Sequence, residues 1–230
     1  MSGTALLIHG LSSSPAGWWR VRGWLEDAGW MAETVALLGH GDRGAAPSYL
    51  LDDYVADLRG SGPYDLVVAH SLGGSIATVL AAEDPRWALR LVLLDPVWYV
   101  PADQLAAVAA DQASDLALTE ETLRAAKPHW DERDIAAKLS AIHDVDPDAV
   151  RRTFAVAEWD LRDVARRIQT HTLVLGGDPQ VYTMLEPADG FEVAADAEDM
   201  AYIVVPGAGH SPHRDQPDAT RAALERWLEE

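Results

Sequence analysis

A chain of 230 residues that is 48% hydrophobic and 24% charged can bury a substantial core, which excludes global disorder and fits one α/β unit. Its 18 basic and 37 acidic residues leave a formal charge of −19, which argues against a phosphate-neutralising nucleic-acid surface and against docking on anionic membranes. No cysteine is present to form a disulfide, a thiolate nucleophile or a Cys-ligated metal site, and with no leader-like or membrane-spanning apolar run the expected location is the cytoplasm.

Short apolar runs alternate with stretches of helical spacing. Ala5-Leu6-Leu7-Ile8 predicts a strand that stops at His9-Gly10. Ser14-Pro15 reads as an N-cap and first helical position, followed by Trp18, Val21 and Leu25 on one helix face. Residues 34–38 predict a second strand, ended by Gly39-His40-Gly41, and Leu51, Val55 and Leu58 mark the next helix. Residues 66–69 and 91–94 are continuous apolar runs, as in parallel strands covered on both faces. The helix between them carries Ile76, Val79 and Leu80. Residues 173–175 and 203–205 predict the last strands, and Asp215-Gln216-Pro217 opens a final helix. The alternation implies an α/β fold, a mostly parallel sheet of about six strands with helices on both faces. It breaks between Pro96 and about Arg167, where the pattern is helical and Asp146-Pro147 starts one more helix. The expected organisation is a core of 1–96 and 166–230 with a helical cap or lid inserted at 97–165.

Ala69-His70-Ser71-Leu72-Gly73 stands where a buried strand meets a helix. A serine there sits on a tight turn that lifts its hydroxyl from the sheet edge, provided the residues two before and two after are small. Ser71 is the expected nucleophile. A serine hydroxyl needs a base. Of eight histidines, His210 is favoured because Gly207-Ala208-Gly209-His210 forms a loop just past the last strand; His213 is its neighbour and competitor. The histidine needs an acid to fix its tautomer. Two aspartates end strands, Asp95 and Asp178. Asp178 is preferred because Gly176-Gly177 frees the chain to bring its carboxylate under the histidine loop. The N–H groups of Leu11, after the permissive Gly10, and of Leu72 are the expected oxyanion donors. His9 reads as structural. Trp18, Trp98, Trp130 and Trp159 are candidates to line a substrate pocket, although Trp18 also lies on the apolar helix face, which favours core packing.

The set His9-Gly10, Gly39-His40-Gly41, Ala69-His70-Ser71-Leu72-Gly73, Gly177-Asp178 and Gly207-Ala208-Gly209-His210 resembles the α/β-hydrolase superfamily, including its order of Ser, Asp and His. Ala69 stands where glycine is usual. The resemblance implies that the first strand here matches the third of the family's sheet and that the insert is the family's helical cap. It also implies a serine hydrolase cleaving an ester, lactone or thioester of a small, largely apolar molecule, with no metal and no organic cofactor. Carbon–carbon bond hydrolysis or lysis, and a non-catalytic small-molecule receptor, are the alternatives on the same scaffold.

Overall fold

Six short runs pair side by side in the computed structural model, which describes residues 3–230. They are β1 (Thr4–Ile8), β2 (Met31–Val35), β3 (Leu66–His70), β4 (Arg90–Leu94), β7 (His171–Gly176) and β8 (Met200–Val204); two shorter strands, β5 (Tyr99–Val100) and β6 (Trp159–Asp160), lie between β4 and β7. They order as β2-β1-β3-β4-β7-β8, and every neighbouring pair is parallel. Alternate residues of each inner strand enter two separate cores. Leu6, Ile8, Val67, Leu91 and Leu93 face one core, while Leu7, Leu66, Val68, Val92 and Leu94 face the other. That is why these runs are apolar without alternation: neither face meets water.

Helix α1 (Trp19–Asp27) follows a 3-10 turn at Pro15–Trp18, with Pro15 as its first residue but no side-chain bond from Ser14. It joins α11 (Pro217–Leu228) over one face, through Val21, Leu25, Leu224 and Trp227. Helices α2 (Leu51–Leu58), α3 (Leu72–Glu83) and α9 (Pro187–Asp196) cover the other face, through Tyr54, Val55, Ile76, Leu80 and Val193. The second strand lies earlier than its apolar run. Met31–Val35 pairs with β1 from Thr4↔Met31 to Ile8↔Val35, and its exposed Met31 and Glu33 suit an edge. The apolar residues after it belong to a loop, in which buried Leu37 donates its N–H to His9 Nε2 at 3.2 Å.

Between β4 and β7 the chain forms β5 (Tyr99–Val100), α4 (Leu105–Ser114), α5 (Glu120–Ala126), α6 (Glu132–Asp144), α7 (Pro147–Arg152), β6 (Trp159–Asp160) and the single turn α8 (Arg162–Ala165). Two residues of antiparallel ribbon, β5 with β6, join the two ends of this insert. They are too short to leave an alternation in the sequence. Asp146 caps α7 by accepting the Asp148 N–H at 2.9 Å, with Pro147 as the first helical residue. Among the described residues no helix is long and apolar enough to cross a membrane.

Candidate active site

Ser71 is the one residue between β3 and α3, at φ 54° and ψ −121°. A non-glycine residue at positive φ is strained, and such strain persists only where the surroundings hold it. Here they do: the Ser71 N–H donates to Leu94 O at 3.1 Å, and its carbonyl accepts the Ser75 N–H at 3.0 Å. The neighbours must be small. A Cβ on Gly73 would lie 2.4 Å from Ile8 O and 2.6 Å from His9 O, so a side chain there would push α3 away from β1. A Cβ on Gly10 would lie 2.8 Å from the Ser71 Cβ, so the loop after β1 passes directly beside the serine. Ala69, the departure from glycine, is wholly buried.

The loop after β8 brings His210 onto this serine. Its Nε2 lies 2.8 Å from Ser71 Oγ and its Nδ1 lies 2.5 Å from Asp95 Oδ2. Asp95, at the end of β4, is fully buried at φ 42°. Besides His210 it accepts the N–H groups of Gly177 (3.0 Å) and Met184 (2.8 Å) and the Thr183 hydroxyl (2.5 Å). Three donors from the segment after β7 thus orient the carboxylate that meets the imidazole.

Asp178, the acid expected from sequence, does not meet His210. Its carboxylate accepts the N–H groups of Gly207 (2.8 Å) and Gln180 (2.9 Å), which hold it below the usual aspartate range and tie together the turns after β7 and β8. The glycine pair does serve an aspartate, since Gly177 donates to Asp95. Both aspartates end parallel strands, and only the tertiary packing decides which carboxylate meets the imidazole.

Four other histidines, His9, His40, His70 and His213, are buried. His213 is buried and stacks on Trp18 at 5.0 Å. His9 is fixed by Gly10 O at 2.8 Å and by the Leu37 N–H. Burial, with His40 5.0 Å away, lowers the His9 pKa to about 3, and burial lowers that of His40 to about 4. His70 donates from Nε2 to the carbonyl of His210 at 2.7 Å, so the residue before the serine holds the histidine loop. Burial, then the neighbouring His210 and His213, push His70 well below the ordinary value and keep its ring neutral.

Ser71, His70 and His210 open into a cavity of about 280 Å³, walled on the insert side by residues that include Leu118, Leu123 and Trp130. Leu11 also lines it. Leu72 opens α3, where helix N–H groups lack partners, and neither the Leu11 nor the Leu72 N–H donates to a backbone carbonyl among the described residues. Of the four tryptophans, Trp130 alone reaches this cavity. Trp18 packs in the core with α1; Trp98 is fully buried and donates to Thr78 Oγ1 at 2.9 Å; Trp159 donates to Val97 O at 2.8 Å and packs on Phe154. Trp98 and Trp159 thus find acceptors for their indole N–H in the core, and Trp18 stacks there on His213, roles that hydrophobic spacing alone cannot tell from pocket lining. Three contributors were not foreseen. Asp215 accepts the Trp130 N–H (2.7 Å) and the Gly209 N–H (2.9 Å); Arg214 and Lys138 line the cavity. The His-Arg-Asp run after His210 was visible in sequence, but its direction was not.

The model of the Alpha/beta hydrolase family matches residues 5–223. Over 97 residues the chain is 38% identical to Lipase LipV of Mycobacterium tuberculosis (strain ATCC 25618 / H37Rv), covering 40% of this chain and 36% of that relative's length. In structure it is similar to E-2-(acetamidomethylene)succinate hydrolase, with a TM-score of 0.80 and 20% identity over 100% of this chain and 92% of the other. It is also similar to the enol-lactonase from Burkholderia xenovorans LB400, with a TM-score of 0.76 and 20% identity over the same shares. The chain belongs to the alpha/beta hydrolase family.

Proposed function

We propose that this protein is a serine hydrolase that cleaves a small ester, lactone or thioester through an acyl-enzyme. The observation that carries the reading is the continuous chain Ser71 Oγ, His210 and Asp95, with contacts of 2.8 and 2.5 Å. In this reading Ser71 Oγ attacks the carbonyl carbon as His210 Nε2 takes its proton. Asp95, held by its other three donors, keeps Nδ1 protonated and stabilises the imidazolium. The carbonyl electron pair moves to the oxygen, which the N–H groups of Leu11 and Leu72 receive, aided by the positive end of α3. Collapse breaks the bond to the leaving group, which takes the proton from His210. Water, deprotonated by the same imidazole, then attacks the acyl-Ser71 carbonyl. The second collapse releases the acid and returns the proton to Ser71. The segment 97–165 acts as a lid that bounds the acyl pocket.

A panel of p-nitrophenyl esters of graded chain length, run on wild type and on Ser71→Ala, tests this. Turnover should fall by several orders of magnitude in the variant, up to about 10⁶-fold in kcat. Equal turnover by both proteins would reject Ser71 as nucleophile. Single-event labelling of Ser71 with no steady state would favour a receptor.

A further inference from the structure

The chain carries only two lysines, Lys127 and Lys138, and both wall the cavity that contains Ser71. Arg214 lines it as well. The same wall carries Asp111 and Asp115, and each lysine already faces an acid, Lys127 Nζ at 3.5 Å from Asp215 and Lys138 Nζ at 2.6 Å from Asp115, which leaves Arg214 as the cation to account for. Most other arginines sit in surface pairs, such as Arg59 with Glu83 and Arg166 with Glu192.

Arg214 is the unusual member. Its side chain is 5% exposed, yet among the described residues only Nη2 of its donors is hydrogen-bonded, to Ser13 Oγ at 3.2 Å, and Nε is buried without an acceptor. Its nearest carboxylate, Asp134, is 3.9 Å away and already holds Arg20 and the Trp19 N–H, each at 3.0 Å. Asp215, the next acid, is taken up by Trp130, His129 and Gly209. The guanidinium is held in place against Trp130, 5.1 Å from its ring centroid, and against Gly17, where a Cβ would lie 2.3 Å from Nη2. A buried cation with a fixed planar fork and no dedicated acceptor is costly unless a ligand supplies the anion. Lys138 stands on the insert side, bonded to Asp115 (2.6 Å) and Ser12 O (3.0 Å). Burial, with Arg214 and Lys127 nearby, lowers its pKa. Asp111 also lines the cavity, from an exposed position.

We propose that Arg214, with Ser13 beside it and Lys138 across the cavity, is an anion site, and that the hydrolysed molecule is a small ester, lactone or thioester bearing a carboxylate a few bonds from its scissile carbonyl. The inference rests on the hydrolase reading above and makes its substrate class specific. The planar fork matches a carboxylate, and a cavity of about 280 Å³ suits a compact anionic acyl group better than a long alkyl chain.

Aryl monoesters of glutaric acid and their methyl-capped neutral counterparts give the test. Wild type should favour the anionic ester in kcat/KM by at least about tenfold, equivalent to 1.4 kcal/mol. Free glutarate should inhibit competitively where glutaramide does not. In Arg214→Gln the ratio of anionic to neutral kcat/KM should fall to near one, and Arg214→Lys should keep part of it. If Arg214→Gln does not fold, the wild-type ratio and the glutarate inhibition decide alone. Turnover of both esters with no preference and no glutarate inhibition would overturn the anion site while leaving the hydrolase reading intact. Absence of any ester turnover or phosphonate labelling of Ser71, with glutarate still binding, would support the anion site and reject the hydrolase reading.

Discussion

The Asp95 carboxylate takes four hydrogen bonds at a position with no solvent exposure, so its orientation toward His210 is set before any substrate arrives. Asp95→Asn should keep the shape but invert one donor, favour the wrong imidazole tautomer and lower kcat by roughly 10⁴-fold. Asp178→Asn should leave kcat within about tenfold, because that carboxylate holds only the turns at 180 and 207. Steady-state ester kinetics on the two variants check the ranking, and the reverse order would return the acid to the end of β7. The meeting of Ser71 and His210 is legible in sequence, because small residues flank the serine and a glycine precedes the histidine. Which carboxylate joins them is not, because the choice between two strand ends depends on which one the segment 183–184 folds over.

Among the elements, the insert and the core meet at Asp215. This carboxylate, at the end of α10 (Pro212–Asp215), accepts from Trp130 in the insert and from Gly209 and Ser211 on either side of His210. Asp215→Asn should therefore speed hydrogen exchange at 127–131 and 209–211 together, and reduce kcat on the order of tenfold to a hundredfold by misplacing the imidazole. Exchange that changes in only one segment would show that the two are not coupled through this residue. The tryptophans divide along the same boundary. Trp130→Ala should shift the chain-length preference of ester turnover, whereas Trp159→Ala should cost about 3–5 kcal/mol of stability in a urea titration. The helical insert was legible from its broken strand pattern. The roles of its aromatic residues were not, since an apolar face looks alike whether it meets the core or a cavity.

Across the molecule, four buried histidines, His9, His40, His70 and His213, are held neutral by desolvation. Their pKa values are lowered on folding, so the unfolded chain binds more protons below its own pKa, near 6.5. Their contribution to stability is full above that value and is lost as pH falls toward the folded values, about 4 for His40 and about 3 for His9. Each should cost about 1.4 kcal/mol per pH unit in that window. Urea midpoints measured at pH 7, 6 and 5 should fall steeply, and His40→Asn should flatten the slope. A flat series would mean that these rings are not held neutral. The alternating strands and helices made the parallel sheet legible, and the sheet in turn brings the ends of β3, β4 and β8 to one edge, where Ser71, Asp95 and His210 meet. Intact-mass analysis of enzyme quenched during aryl-ester turnover tests that meeting point most directly. The protein should gain the mass of one acyl group, located by fragmentation on Ser71 and missing in Ser71→Ala. Turnover without an acyl adduct under conditions where deacylation is slow, or an adduct on Ser13 or Ser211, would contradict it.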